Sequence, residues 1–373
     1  MNSRRLLILG IAAILAIVAG IWLANRQGSS GATAGTGPLY PGLKEQLDTV
    51  NAIRLYKAGD ARVVDLTRKD DAWQVSDRNS YPADDGKVRK LLIAISDAKI
   101  AEEKTSNPQQ YATLGVEDTK GTGAASVRIQ LVGPPKPVDL IIGKEAVGGR
   151  ANYVRRAGET QSWLIDKTLD TSATPDAWLR KDIIDVSADR MQSATVTAKD
   201  GKPYTAAKGT RADQNFAVTG LPKGKALSAP TAANSFAMAL TALSLSDVKP
   251  ASAFQSTQPA AHATFKTFDG LVVDVDGWVQ AEKHYIALRP AFDAAQAERF
   301  KVATAPPEQK KDDKKDAKQD AAAAPTPPPA PDIAGDAKKA ADKVTGWVYE
   351  IPDYKYESLF KPVDQLVSSK QSG

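Results

Sequence analysis

Ser162-Trp163-Leu164-Ile165-Asp166 and Gly346-Trp347-Val348-Tyr349-Glu350 are one pattern written twice: a small residue, a tryptophan, two apolar positions and an acidic stop. Each is followed by an aromatic-leucine start, Trp178-Leu179-Arg180-Lys181 in one case and Leu359-Phe360-Lys361-Pro362 in the other. The match extends backwards. Asn152-Tyr153-Val154-Arg155 corresponds to His284-Tyr285-Ile286-Ala287, and Val138-Asp139-Leu140-Ile141-Ile142-Gly143 to Leu271-Val272-Val273-Asp274-Val275-Asp276-Gly277. Ser126-Val127-Arg128-Ile129-Gln130-Leu131 corresponds to Ala263-Thr264-Phe265-Lys266-Thr267-Phe268. Alternating apolar and polar positions over four to eight residues read as half-buried strands. The chain is therefore read as one unit duplicated.

Further upstream, Ile53-Arg54-Leu55-Tyr56, Val63-Val64-Asp65-Leu66 and Ala72-Trp73-Gln74-Val75 read as strands. Val88, Leu91, Leu92 and Ile95 follow at i, i+3, i+4, i+7, one apolar helix face, with Asp84 or Asp85 as its N-cap. The second copy runs through Ala194-Thr195-Val196-Thr197 and Asn215-Phe216-Ala217-Val218. It then offers Ser228 as a cap, Pro230 in the first turn, and Phe236, Leu240 and Leu243 along one helix side. Period-two strands with one amphipathic helix per copy describe an α+β fold class with a largely antiparallel sheet. The copies are expected at 38–187 and 188–370, dividing near Ser187.

The nineteen residues Leu6–Ala24 carry no charge and follow Arg4 and Arg5. As a helix they would rise roughly 28 Å, close to the ~30 Å hydrocarbon core. The basic pair would lie on the cytoplasmic side. The expectation is an uncleaved signal-anchor at 1–24, a Gly/Ser/Ala/Thr tether at 25–37, and a single-pass protein of the bacterial inner membrane with its C-terminal bulk in the periplasm. With no cysteine in the chain, lipoprotein acylation, disulfides and thiolate metal sites are excluded. The net charge of +5 is spread along the sequence without basic-aromatic clusters, so nucleic acid is not an expected partner. From Thr304 to Lys343, eight Lys face eight Asp and Glu beside a Pro325-Thr326-Pro327-Pro328-Pro329 run, read as a disordered loop insertion inside the second copy.

Motifs that resemble catalytic or metal signatures fail on their spacing. Gly143-Lys144 lacks the first glycine and the Ser/Thr of a P-loop. Asp274-Val275-Asp276-Gly277 opens like a calcium loop, but Trp278 takes the next acidic position. His262 and His284 are the only histidines, too few for zinc and without a nucleophile elbow, so no catalytic residue, metal or cofactor is expected. Lys144, Arg150, Tyr153 and Arg155 lie in and after the turn that holds Gly148 and Gly149, followed by Arg156. They form the candidate ligand-binding set, since guanidinium groups suit carboxylate or phosphate. In Thr105–Val116, Ser106 or Asn107 can cap a short helix with Pro108 at its first position and Gly115 at its end.

Tyr81-Pro82-Ala83-Asp84, Thr105-Ser106-Asn107-Pro108 with Tyr111 and Leu114-Gly115-Val116, Leu140-Ile141-Ile142-Gly143-Lys144, Tyr153-Val154-Arg155 and the Trp163 strand leading to Trp178-Leu179 occur in that order. As a set, covering most of residues 40–185, they resemble the bacterial DUF4340 family, a domain of unknown function. The resemblance implies an envelope protein often encoded beside ABC-type transport components of the gliding-motility auxiliary type, and it carries over no catalytic residues. The expected function is a non-enzymatic binding or assembly module with the inner membrane (through 6–24) and ABC transporter subunits as partners. The alternative is a periplasmic binding protein for an anionic small molecule or cell-wall glycan.

Overall fold

Alternating side chains build the central strands of both sheets. In Val127–Val132, Val127, Ile129 and Leu131 are buried while Arg128 and Gln130 are half-exposed. Leu271–Gln280 repeats the arrangement, with Leu271, Val273 and Val275 inside and Asp274 and Asp276 half-exposed. A period of two gives a sheet one face for the core and one for water. The computed structural model describes residues 37–198, 201–255, 258–301 and 332–369. The chain divides into two units, Met1–Leu179 and Arg180–Gly373.

The first unit holds β1 (Ala52–Lys57), β2 (Ala61–Lys69), β3 (Ala72–Val75), β4 (Tyr81–Pro82), β5 (Ile100–Glu103), β6 (Val127–Val132), β7 (Val138–Glu145), β8 (Asn152–Arg156) and β9 (Ser162–Ile165). They form one antiparallel sheet in the order β4-β3-β2-β1-β6-β7-β8-β9-β5. The second unit holds β10 (Asp182–Ile184), β11 (Met191–Ala198), β12 (Tyr204–Ala207), β13 (Ala217–Thr219), β14 (Lys225–Leu227), β15 (Leu243–Ser244), β16 (Asp247–Pro250), β17 (Ala261–Thr267), β18 (Leu271–Gln280), β19 (Lys283–Phe292), β20 (Trp347–Ile351) and β21 (Val367–Ser369). Its main sheet runs β13-β12-β11-β17-β18-β19-β20-β16, with β10-β15 and β14-β21 as separate pairs. The two orders are the same path. In each main sheet the first strand (β1 or β11) ends mid-sheet, its hairpin partners extend one edge, and a short strand made early (β5 or β16) closes the far edge against the last (β9 or β20).

The α-helices are α1 (Asp85–Asp97), α2 (Tyr111–Leu114), α3 (Ala294–Arg299), α4 (Ile333–Val344) and α5 (Asp353–Leu359). In α1, Val88, Leu91, Leu92 and Ile95 are buried, and the Asp84 carboxylate accepts the Lys87 N–H at 2.9 Å as N-cap. The helix packs against β3 and the Lys44–Thr49 turn.

Two expectations are corrected. The fold class is not α+β headed by a transmembrane helix: the described chain is mostly antiparallel sheet with few helices. Its longest helix, α1, has 13 residues and rises about 20 Å. Among the described residues no helix is long and apolar enough to cross a membrane, a finding against the single-pass inner-membrane placement. The Leu6–Ala24 run and the 25–36 part of the tether lie outside the described residues.

The helix expected after Ser228 is also absent. Phe236, Leu240 and Leu243 are buried, but the backbone makes only a 3₁₀ turn at Asn234–Met238, and Leu243 opens β15. Ser228 donates its hydroxyl to the Leu366 carbonyl at 3.1 Å instead of capping a helix. Thr231, Asn234, Ser235 and Thr241 interrupt this span, and such side chains compete for the backbone bonds a helix needs. Asn234 uses its amide oxygen on the Phe216 N–H at 3.2 Å. A long helix arises elsewhere: α4 takes residues 333–343 from the stretch expected to be disordered. Asp332 caps it by accepting the Gly335 N–H at 2.9 Å, and Ala337 and Val344 are buried. The rest of that stretch up to residue 331 lies outside the described residues.

Candidate functional site

In the first unit the sequence motifs converge on one short turn. Asn107 accepts the Gln109 N–H at 3.1 Å, Pro108–Gln110 form a 3₁₀ turn, and α2 follows directly. Gly115 ends it at φ 70°, where a glycine avoids the clash that Cβ brings. The turn sits on the outer face of β7 and β8. Tyr111, Val116 and Ile141 make a small apolar cluster, with Leu114, Tyr153 and Ala157 against it. Contact is so close at β7 that a Cβ on Gly143 would stand 2.3 Å from the Leu114 carbonyl oxygen and 2.8 Å from that of Gly115.

Polar groups lock the same turn. Arg155 is 2 % exposed. Its Nε donates to the Val116 carbonyl (2.9 Å), Nη1 to the Glu159 carbonyl (2.9 Å) and Nη2 to Asp118 Oδ1 (3.0 Å). Its guanidinium also lies 4.5 Å over the Tyr111 ring, where the ring quadrupole attracts the cation. Lys144 Nζ donates to the Thr113 carbonyl at 3.0 Å, supplying positive charge where α2 ends. Tyr153 is half-buried, with Lys104 Nζ 5.8 Å over its ring. Arg156 donates to the Leu39 carbonyl at 2.6 Å and stacks 4.6 Å over Trp163.

Of the four candidate ligand-binding residues, the structure thus brings Lys144, Tyr153 and Arg155 together around the turn, facing their own chain. Arg150 stands apart, exposed on the 146–151 turn beside Gly148 and Gly149 at φ 104° and 68°. Val147 at the tip of that turn is fully exposed.

A family model described as a domain of unknown function (DUF4340) matches residues 73–265, just over half of the 373-residue chain. The chain belongs to the DUF4340 family. No curated protein and no solved structure matches it. The DUF4340 match begins at Trp73 in β3, ends at Phe265 in β17, and includes the whole turn with its locking side chains.

The second DUF4340 unit carries a polar ladder on the outer face of β17, β18 and β19. His262 Nδ1 lies 2.8 Å from Asp276 Oδ1, and Arg289 Nη1 donates to Asp276 Oδ2 at 2.6 Å. Asp276, His262 and Thr264 stand in the order of a nucleophilic relay. The Thr264 hydroxyl, however, donates to Asp274 at 2.5 Å, while His262 Nε2 is 3.4 Å away. His284 pairs with Asp353 at 2.8 Å and packs 4.5 Å from the Tyr356 ring. Among the described residues no group of three or more His, Asp or Glu side chains is arranged to hold a metal ion.

Burial by itself would raise the Asp276 pKa, but hydrogen bonds from Arg289 and His262, with their charge, hold it below the ordinary carboxylate value. A folded pKa depressed below the unfolded one gives stabilisation that is complete above about pH 4 and lost as pH falls through the folded value. The stability difference between the parent protein and Asp276→Asn should therefore shrink as pH is lowered from ~5 to ~2. A difference constant over that window, measured by urea unfolding, refutes the assignment.

One grouping escaped the sequence reading. Gly209, Thr210, Arg211 and Ala212 meet Phe268 and Arg299, Phe300 and Lys301 around a recess of about 510 Å³. Thr210-Arg211-Ala212-Asp213 is readable as a side-chain-closed turn, but nothing in sequence links it to the basic-aromatic run near residue 300.

Proposed function

We propose that this DUF4340 protein is a non-catalytic recognition module, a binding or assembly part whose partner is an ABC-type transport complex of the gliding-motility auxiliary kind. One observation carries the recognition reading. Lys144, Tyr153 and Arg155, the side chains that looked most like ligand-binding groups, are engaged in fixing a turn on the sheet. Motifs that hold a shape in place suit a pre-organised surface, because rigidity removes the ordering cost of association. The choice of partner rests on the family resemblance. The element such a scaffold offers is the 146–151 turn, where the fully exposed Val147 side chain stands near the exposed Arg150. Arginine is enriched at interface hot spots, and the exposed Val147 adds apolar area that contact would take from water.

Gentle capture of the full chain from cells tests the proposal: transporter subunits should be recovered with it. The pair Val147→Asp and Arg150→Ala should reduce that recovery at least tenfold while leaving the melting temperature within about 2 °C, since neither side chain is buried. Recovery of no transporter subunit overturns the choice of partner. Undiminished recovery by the double variant overturns the choice of surface.

A further inference from the structure

The recess in the second unit is lined by three cations, Arg211, Arg299 and Lys301, and by no carboxylate. Its construction keeps the cations outward. Asp213 accepts the N–H groups of Gly209 (2.7 Å) and Thr210 (3.0 Å) and the Thr210 hydroxyl (2.8 Å), which closes the loop and leaves Arg211 at its crest. The Arg211 guanidinium lies over the buried Phe268 ring, 4.9 Å from its centre, and Phe300 meets Phe268 edge-on at 5.1 Å. Arg299 is 5.3 Å over Phe300.

Two of the acidic groups nearby have other partners. Asp269 is held by two bonds from Arg190, at 2.7 and 3.2 Å, and Asp213 by the loop itself. Among the described residues Glu298 pairs only with Lys301, itself one of the lining cations, at 3.3 Å, both being exposed. Among the described residues neither Arg211 nor Arg299 has a carboxylate within salt-bridge distance. Arg211 feels the Asp269 carboxylate only at longer range, since Arg190 holds that group. Two guanidinium groups braced on aromatic rings, with no carboxylate bonded to either, suit an oxyanion: planar, weakly hydrated, and able to bind in a two-pronged way.

We infer that this recess binds a small molecule carrying two or more oxyanion groups, phosphate or carboxylate, through Arg211 and Arg299 with Lys301 adding charge. Its volume lies within the range of small-ligand sites. The inference stands independently of the protein partner proposed above.

Calorimetric titration of the full chain with pyrophosphate and, separately, citrate tests it and tells phosphate from carboxylate. At least one should bind with a dissociation constant below about 1 mM. Arg211→Ala with Arg299→Ala should weaken that binding at least tenfold, as loss of charge-assisted bonds requires. The melting temperature should stay unchanged, since both residues are exposed. Lys338→Ala, which removes an exposed cation of α4, should bind as the parent does. Absence of binding to both anions at 10 mM overturns the inference (a limit of roughly ten times the expected constant). So does equal affinity in the double variant, or an equal loss in Lys338→Ala.

Discussion

Arg155→Ala should lower the stability of the protein by about 3 kcal/mol, seen as a fall of roughly 6–12 °C in melting temperature. The size follows from what the truncation leaves behind. The Val116 carbonyl loses a charged donor in a position from which water is largely excluded, and an unsatisfied buried acceptor costs about 1–3 kcal/mol; the Glu159 carbonyl, on an exposed residue, loses less. Tyr111 loses the cation stacked on its face, worth about 1 kcal/mol. Asp118 adds little, because its side chain is 61 % exposed and water replaces the lost bond. Arg155→Lys should recover only part of the difference, since one ammonium cannot reach three acceptors set around a planar fork. A fall of under about 2 °C for the alanine variant would mean that the guanidinium is idle in the fold, and would return it to the list of groups available to a ligand.

Gly143→Ala should be as damaging, at about 3 kcal/mol, although it adds a single methyl group. That methyl would stand 2.3 Å from the Leu114 carbonyl oxygen, a backbone atom with nowhere to swing. The turn must lift, and lifting it stretches the Lys144 bond to Thr113 and the Arg155 bond to Val116 together. Gly148→Ala provides the contrast. Nothing lies within 4 Å of its Cβ position, so only the φ of 104° opposes the change, at a cost of about 1–2 kcal/mol. Because Gly143 and Arg155 act on the same turn, the double variant should lose less than the sum of the two singles. Strict additivity in urea unfolding would show that the turn is not one cooperative element.

What could be read in the sequence was whatever repeats locally. Period-two alternation located β6, β7, β8 and β9 and their counterparts β17 to β20, and the i, i+3, i+4, i+7 spacing of Val88 to Ile95 located α1. The span from Phe236 to Leu243 misled because those burials suit a 3₁₀ turn running into β15 as well as a helix. Helix α4 was hidden in a charge-balanced, alanine-rich run where Ala337 supplies a core contact without a hydrophobic signature. The candidate site was legible only in part. Spacing told that Lys144, Tyr153 and Arg155 lie close to one another, but not that the guanidinium faces a carbonyl 39 residues earlier in the chain, at Val116. Arg211 and Arg299 meet only through the sheet order, which no local pattern contains.

The shared strand path has a consequence for synthesis. β1 lies mid-sheet, and Ala52 cannot complete its pairing until Val132 has left the ribosome; Met191 waits in the same way for Thr267. Each half of the nascent protein must therefore hold an open, half-bonded hairpin while its remaining strands are translated, and such non-local pairing is slow. β6 and β17 hold equivalent places beside β1 and β11, so each is a rival partner for the open hairpin of the other half. Mispairing between the two halves is thus the characteristic error this molecule has to avoid, and a holding chaperone should be most needed while the chain is between one half and the next.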